Sequence, residues 1–177
     1  MSSTRETFLN SDEVGSLLEA SREHWDRKVD ELPTLELFFL LTCEAGMRKG
    51  EADAARAEWV DLERGVIVIP ARDQQEGRIW NRKNRKKAVV PITELLREWF
   101  EVYGVPSPWL LKPKIGWGKN LYRFQITGRV KQFLLKQKFE GVTIHDLRRS
   151  FGSNRVSAGV SIEKVANWMG ISIQTAW

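Results

Sequence analysis

The chain has 177 residues, 42% of them hydrophobic, enough for one well-buried domain with room for a small appendage. Its 28 Lys and Arg against 23 Asp and Glu leave a net charge of +5. That modest basic excess fits a nucleic-acid partner but is common among soluble proteins, so where the cations cluster matters more than their sum. Cys43 is the single cysteine, which excludes a disulfide within the chain. The start, Met1–Thr7, has no apolar signal region, and the longest apolar run, around Leu35–Cys43, is too short to cross a bilayer. A cytoplasmic protein without a membrane partner is the expectation.

In chain order, residues 1–9 read as a loose leader. Asn10 or Ser11 can cap a helix running through Ala20. After Pro33 and Thr34, the run Leu35–Cys43 reads as a buried helix ending near Gly46. A second helix is expected from about Gly50 to Trp59. Val66–Pro70 is rich in β-branched residues and reads as a strand. Arg78–Asn81 and Ala88–Pro91 read as two more, joined by the basic turn Arg82-Lys83-Asn84-Arg85-Lys86-Lys87, so that a small antiparallel meander results.

Thr93 then caps a helix through Phe100, and Pro106, Pro108, Pro113, Gly116 and Gly118 mark a long loop. A helix is expected from about Leu121 to Phe139. Thr143 caps another, with Asp146 at the third position and Gly159 near its end. Ser161 caps a short helix ending at Gly170. The fold class that results is mostly α with a small antiparallel β-sheet (α+β), as one domain over residues 10–177. The Trp99-Phe100 and Phe133-Leu134-Leu135 groups are expected in its core.

Four segments carry chemistry. Ala45-Gly46-Met47-Arg48-Lys49-Gly50-Glu51 puts an arginine just past a buried helix and a glutamate at the start of the next. The basic turn carries Lys83. His145 and Arg148, three residues apart, lie one helical turn from each other. Asn167-Trp168-Met169-Gly170-Ile171-Ser172-Ile173-Gln174-Thr175 follows. Arginine can grip two phosphate oxygens at once, and histidine exchanges a proton near neutral pH, so the His145–Arg148 pair suits chemistry on a phosphodiester. Alone, each piece has a duller reading: a helix-end cation, a solvated strand edge, a capped histidine.

Together and in this order, the four segments resemble the catalytic domain of the tyrosine recombinase (phage integrase) family over about residues 8–177. The resemblance implies the tyrosine recombinase catalytic-domain fold and the roles that follow. Arg48 and Arg148 would hold the nonbridging oxygens of the scissile phosphate. Lys83, chosen by its distance from Pro91 with Lys86 as the alternative, would protonate the departing 5′ oxygen, and His145 would assist proton transfer. Glu51 would support the architecture around Arg48. Arg82, Arg85, Lys86, Lys87 and Arg149 would meet DNA, and Arg123, Arg129 and Lys131 are further candidates.

No metal or other cofactor is expected, because the arginines do the work a cation would do. Double-stranded DNA is the implied partner, with a homotetramer on DNA for the full-length protein, a monomer for this chain, and a nucleoid-associated location. The activity implied is site-specific strand cleavage and rejoining through a 3′-phosphotyrosyl intermediate. The alternatives are type IB topoisomerase-like relaxation and a noncatalytic DNA-binding protein on the same fold.

Two positions depart from the family pattern. Ile171 stands where the family usually has His or Trp, and an aliphatic side chain cannot hydrogen-bond a phosphate; Ser172 or Trp168 could supply the contact instead. The only tyrosines, Tyr103 and Tyr122, fall outside the expected place, so the nucleophile is expected just after Trp177, and the helical DNA-binding domain usual before the catalytic one has no room in residues 1–9.

Overall fold

The computed structural model describes residues 8–75, 78–111 and 126–176. The start of the helix expected from Leu121, with Tyr122 and Arg123, lies outside the described residues. Among those described, the chain is mostly helical with small antiparallel sheets. No helix among them is long and apolar enough to cross a membrane.

Helix α2 (Thr34–Cys43) is the centre of the fold. It is apolar on every side, and such a helix is stable only when surrounded. Helices α1 (Ser11–Glu23), α3 (Lys49–Ala54), α4 (Glu94–Tyr103), α5 (Ile126–Lys136) and α6 (Ile144–Ser157) all pack against it. Phe38, Phe39 and Leu41 are wholly buried there. Each such side chain contributes about 1.5–3 kcal/mol by leaving water. Cys43 is enclosed in the same core, and burial pushes its thiol up to about 12.

The helix starts match their sequence signals. Asn10 caps α1 by accepting the Glu13 N–H at 2.9 Å, while Glu13 accepts the Asn10 N–H at 2.8 Å. Thr143 and Asp146 form the same reciprocal pair at the head of α6. The end of the leader is not loose. Leu9 is buried, its N–H donates to Ser150 Oγ at 2.8 Å, and its carbonyl accepts from Asn154 Nδ2 at 3.0 Å. In α5, Phe133 and Leu134 face the core, but Leu135 is 63% exposed because the inward stripe of the helix passes it by.

The helix expected from Gly50 to Trp59 is interrupted. It stops at Ala54, Ala55 is extended, and a 3-10 turn covers Ala57–Trp59. The segment around Trp109 runs alongside and takes the freed backbone groups. The Leu110 N–H donates to the Ala55 carbonyl at 3.0 Å, and the Ala57 N–H to the Pro108 carbonyl at 2.9 Å.

The sheet also differs from a meander. Strand β1 (Val60–Asp61) pairs with β2 (Val66–Ile69), and β2 pairs with β5 (Ala88–Pro91), in register Ile67 to Val90 and Ile69 to Ala88. These four side chains point inward, and Val89 points out. Strand β4 (Arg78–Asn81) does not pair with β5. It forms a separate hairpin with β3 (Arg72–Gln75), a polar strand that sequence alternation does not reveal. Side-chain tethers hold β3 in place. Trp59 Nε1 donates to Asp73 at 3.2 Å, and Gln75 Nε2 to the Ala54 carbonyl at 3.0 Å. The basic segment is therefore a link between two sheets rather than a hairpin turn. Helices α7 (Ile162–Met169) and α8 (Ile173–Ala176) close the described chain, with α7 against both α6 and β5.

Candidate active site

Three guanidiniums converge on one carboxylate. Glu51, in the first turn of α3, is 3% exposed and accepts the Arg48 backbone N–H at 3.0 Å. Its Oε1 also accepts Arg48 Nη1 at 3.0 Å and Arg82 Nε at 2.9 Å. Arg148 Nη1 lies 3.9 Å from Oε2, near enough for attraction though not for a hydrogen bond. Three positive charges face one negative, and no ion pair with a second carboxylate is present among the described contacts of Arg82 and Arg148.

Arg148 is held mainly by backbone. Its Nη1 donates to the Gly46 carbonyl at 2.6 Å and its Nη2 to the Met169 carbonyl at 2.5 Å. Two of five N–H donors are thereby engaged. The sequence makes this possible at Gly46, where φ is +65° and a Cβ would run into the Phe151 ring. Burial lowers the Arg148 pKa to about 10, with Arg48 and then Arg82 adding repulsion against the opposing pull of Glu51. The positive charge is thus costly until an anion arrives.

His145, on the first turn of α6, is exposed, unlike its neighbour one turn on. Its pKa is lowered from 6.5, first by partial desolvation and then by Arg149 and Arg148, with Asp146 opposing. The imidazole is therefore neutral at pH 7 and can accept a proton. The two side chains share one end of α6 but not one environment. Arg149 is half exposed and 3.6 Å from Asp146.

The basic link divides in two. Lys83, Arg85, Lys86 and Lys87 are exposed, as a DNA-facing surface requires. Arg82 is not: it is 1% exposed and spends its guanidinium on Glu51, on the Lys86 carbonyl at 3.0 Å and on the Trp168 carbonyl at 3.3 Å. The expectation that Arg82 meets DNA is corrected on that ground. No local signal separates it from Arg85, since the partners that bury it, Glu51 and Trp168, lie 31 and 86 residues away.

Beside the link, a cleft of about 420 Å³ is lined by Arg82, Asn84, Lys86, Lys87, Ile171 and Ser172 among others. Ile171 contributes an apolar wall there. Ser172 Oγ bonds Thr175 Oγ1 at 2.6 Å, and Trp168 packs on Phe151 while its carbonyl holds Arg82. Arg129 is paired with Asp30, whereas Lys131 is exposed. Tyr103 packs against Trp25 and Trp99. Among the described residues, no group of three or more His, Cys, Asp or Glu is placed to hold a metal ion.

No curated protein matches the sequence. Solved structures do match the fold. The integrase of the Tn1549 transposon, in complex with a circular intermediate DNA, superposes with a TM-score of 0.73 at 15% identity, covering 99% of this chain and 61% of that one. XerA recombinase gives 0.70 at 19% identity, over 96% and 57%. XerH site-specific recombinase bound to its difH substrate, before cleavage, gives 0.69 at 21% identity, over 96% and 49%. The chain thus spans less than two thirds of each of these structures, and its fold is the tyrosine recombinase catalytic-domain fold. The model of the phage integrase family covers residues 7–174, and with that match the chain belongs to the phage integrase family.

Proposed function

We propose that this chain is the strand-cleaving domain of a site-specific DNA recombinase. The observation that carries the reading is the cluster of Arg48, Arg148 and Arg82 around the single carboxylate of Glu51, which leaves an excess of positive charge at a half-enclosed surface. A phosphodiester supplies one negative charge, and a second builds as phosphorus becomes five-coordinate; preorganised guanidiniums favour that state over the ground state. Arg48, 23% exposed, is the member that reaches solvent.

In this reading a tyrosine hydroxyl attacks the phosphorus and the bond to the 5′ oxygen breaks. His145, neutral at pH 7, takes the tyrosine proton, and Lys83 gives a proton to the departing oxygen. The product is a 3′-phosphotyrosyl ester and a free 5′-hydroxyl. That ester keeps the energy of the original bond, so reversal by a 5′-hydroxyl of a partner strand needs no nucleotide hydrolysis. Duplex DNA is the partner in this proposal, bound by a tetramer of the full-length protein.

A nicked suicide duplex tests it. The full-length protein should become covalently trapped, and Arg148→Lys should slow trapping by about 10²–10³-fold while duplex affinity changes little. Ile171, an apolar residue in the cleft, favours a second reading, a noncatalytic DNA-binding protein. Tight duplex binding with no trapped complex at any time would establish that one instead.

A further inference from the structure

We propose that Arg82 is a positioning residue for Lys83, acting as the pivot of a latch that fixes the lysine loop against the arginine clamp. The inference rests on the assignment of Lys83 as proton donor made above.

The loop from Arg82 to Lys86 is wrapped around the Arg82 side chain. The Arg82 N–H donates to the Ala71 carbonyl at 2.9 Å, which fixes the start of the loop to the residue just before β3. The Arg85 N–H donates to the Arg82 carbonyl at 2.8 Å and closes a tight turn over residues 82–85. Arg85 takes a φ of 54°, an uncommon conformation for an arginine, to complete it. Arg82 Nη1 then reaches the Lys86 carbonyl and ties the far end back. Asn84 adds two bonds: its Oδ1 accepts the Lys86 N–H at 3.1 Å and its Nδ2 donates to the Gly170 carbonyl at 3.1 Å.

Lys83 is therefore the one exposed residue between two anchored ones. Arg82 is bonded to Glu51, the carboxylate that also holds Arg48, and Asn84 to the end of α7, whose Met169 carbonyl holds Arg148. Each arginine of the clamp shares an anchor with the loop. Only a guanidinium can do this from position 82, because its planar fork meets three acceptors in different directions, where an ammonium is a point charge.

Gly170 is an independent sign that the latch is built. Its φ is +68°, and a Cβ there would strike the Asn84 amide and lie 2.9 Å from Arg82 Nη2. The glycine both ends α7 and leaves the space that the latch fills.

The test compares two nicked duplexes with the full-length protein, one ordinary and one with sulfur in place of the scissile 5′ oxygen. A thiolate leaves without a proton, so the sulfur duplex bypasses the donor. Lys83→Ala should slow the ordinary duplex by about 10²-fold or more and be restored on sulfur. Arg82→Met should slow the ordinary duplex by about tenfold to a hundredfold, in kcat rather than in duplex affinity, and be restored on sulfur as well. Arg82→Lys should stay impaired on the ordinary duplex.

Equal losses on both duplexes for Arg82→Met, with Lys83→Ala restored, would leave the recombinase reading intact and overturn the latch. Failure of sulfur to restore Lys83→Ala would overturn the donor assignment and the latch with it. Should Arg82→Met not fold, Asn84→Ala, which leaves Glu51 untouched, reads the same contrast with a smaller loss restored on sulfur; a loss equal on both duplexes, or none, overturns the proposal.

Discussion

Two sets of cations lie within one surface region and behave in opposite ways. Arg148 and Arg82 are almost fully enclosed, and their donors meet carbonyls or Glu51 in fixed directions. Lys83, Arg85, Lys86 and Lys87 stand in solvent a few residues away. Enclosed charges specify geometry, because a wrong arrangement leaves a buried group unpaired. Solvated charges supply attraction that salt screens and that depends little on their exact rotamer. In the recombinase proposed above, a phosphate meets Arg148 of the first set for chemistry and the second set for affinity.

The largest expected effect comes from the centre of the enclosed set. Glu51→Gln leaves Arg48, Arg82 and Arg148 without their carboxylate, and should cost about 3–5 kcal/mol in urea unfolding. A loss under about 1 kcal/mol, the scale of a surface pair, would break the distinction. Next comes Gly46→Ala, which demands a left-handed alanine and pushes a methyl into the Phe151 ring. It should cost about 2–4 kcal/mol, and cleavage should fall further than stability explains, because the Gly46 carbonyl orients Arg148.

The solvated set should respond to salt instead. Arg85→Gln and Lys87→Gln should each leave stability within about 0.5 kcal/mol. Each should flatten the log–log dependence of duplex affinity on salt by about 0.9 where the residue meets a phosphate. A destabilised protein with an unchanged salt slope would reverse their placement.

The smallest effect concerns pH. His145 has a folded pKa below 6.5, so its unfolded form takes a proton first, and its contribution to stability declines as pH falls from above 6.5 through the folded pKa. A bound phosphate offsets the repulsion from Arg149, Arg148 and Arg48 and raises that pKa. Duplex binding should therefore take up a proton and tighten as pH drops through this window, and His145→Asn should remove the dependence.

How much of this was legible in the sequence follows the same division. The head of α6 was readable because Thr143, Asp146 and the spacing of His145 and Arg148 are all local. So was Arg48 before Glu51, a cation at one helix start with a carboxylate three residues on. Arg82 was not readable, since its environment is made by Glu51 and Trp168 from distant parts of the chain. Strand β3 was hidden for a related reason: Arg72–Gln75 has no apolar alternation, and Trp59 and the Ala54 carbonyl hold it from outside. The interrupted α3 was decided by the strand-like segment at Trp109 rather than by any helix breaker at Ala55.

The enclosure of Cys43 has a practical consequence. With burial pushing the thiol up to about 12, the reactive thiolate is scarce at neutral pH, and the core shields even that. A maleimide dye will therefore ignore the native sulfur. Arg85→Cys, on the exposed turn, would give a single labelling handle beside Lys83, so that fluorescence can follow the loop as DNA arrives. Slow modification of Cys43 itself then serves as a clock for global opening of the core.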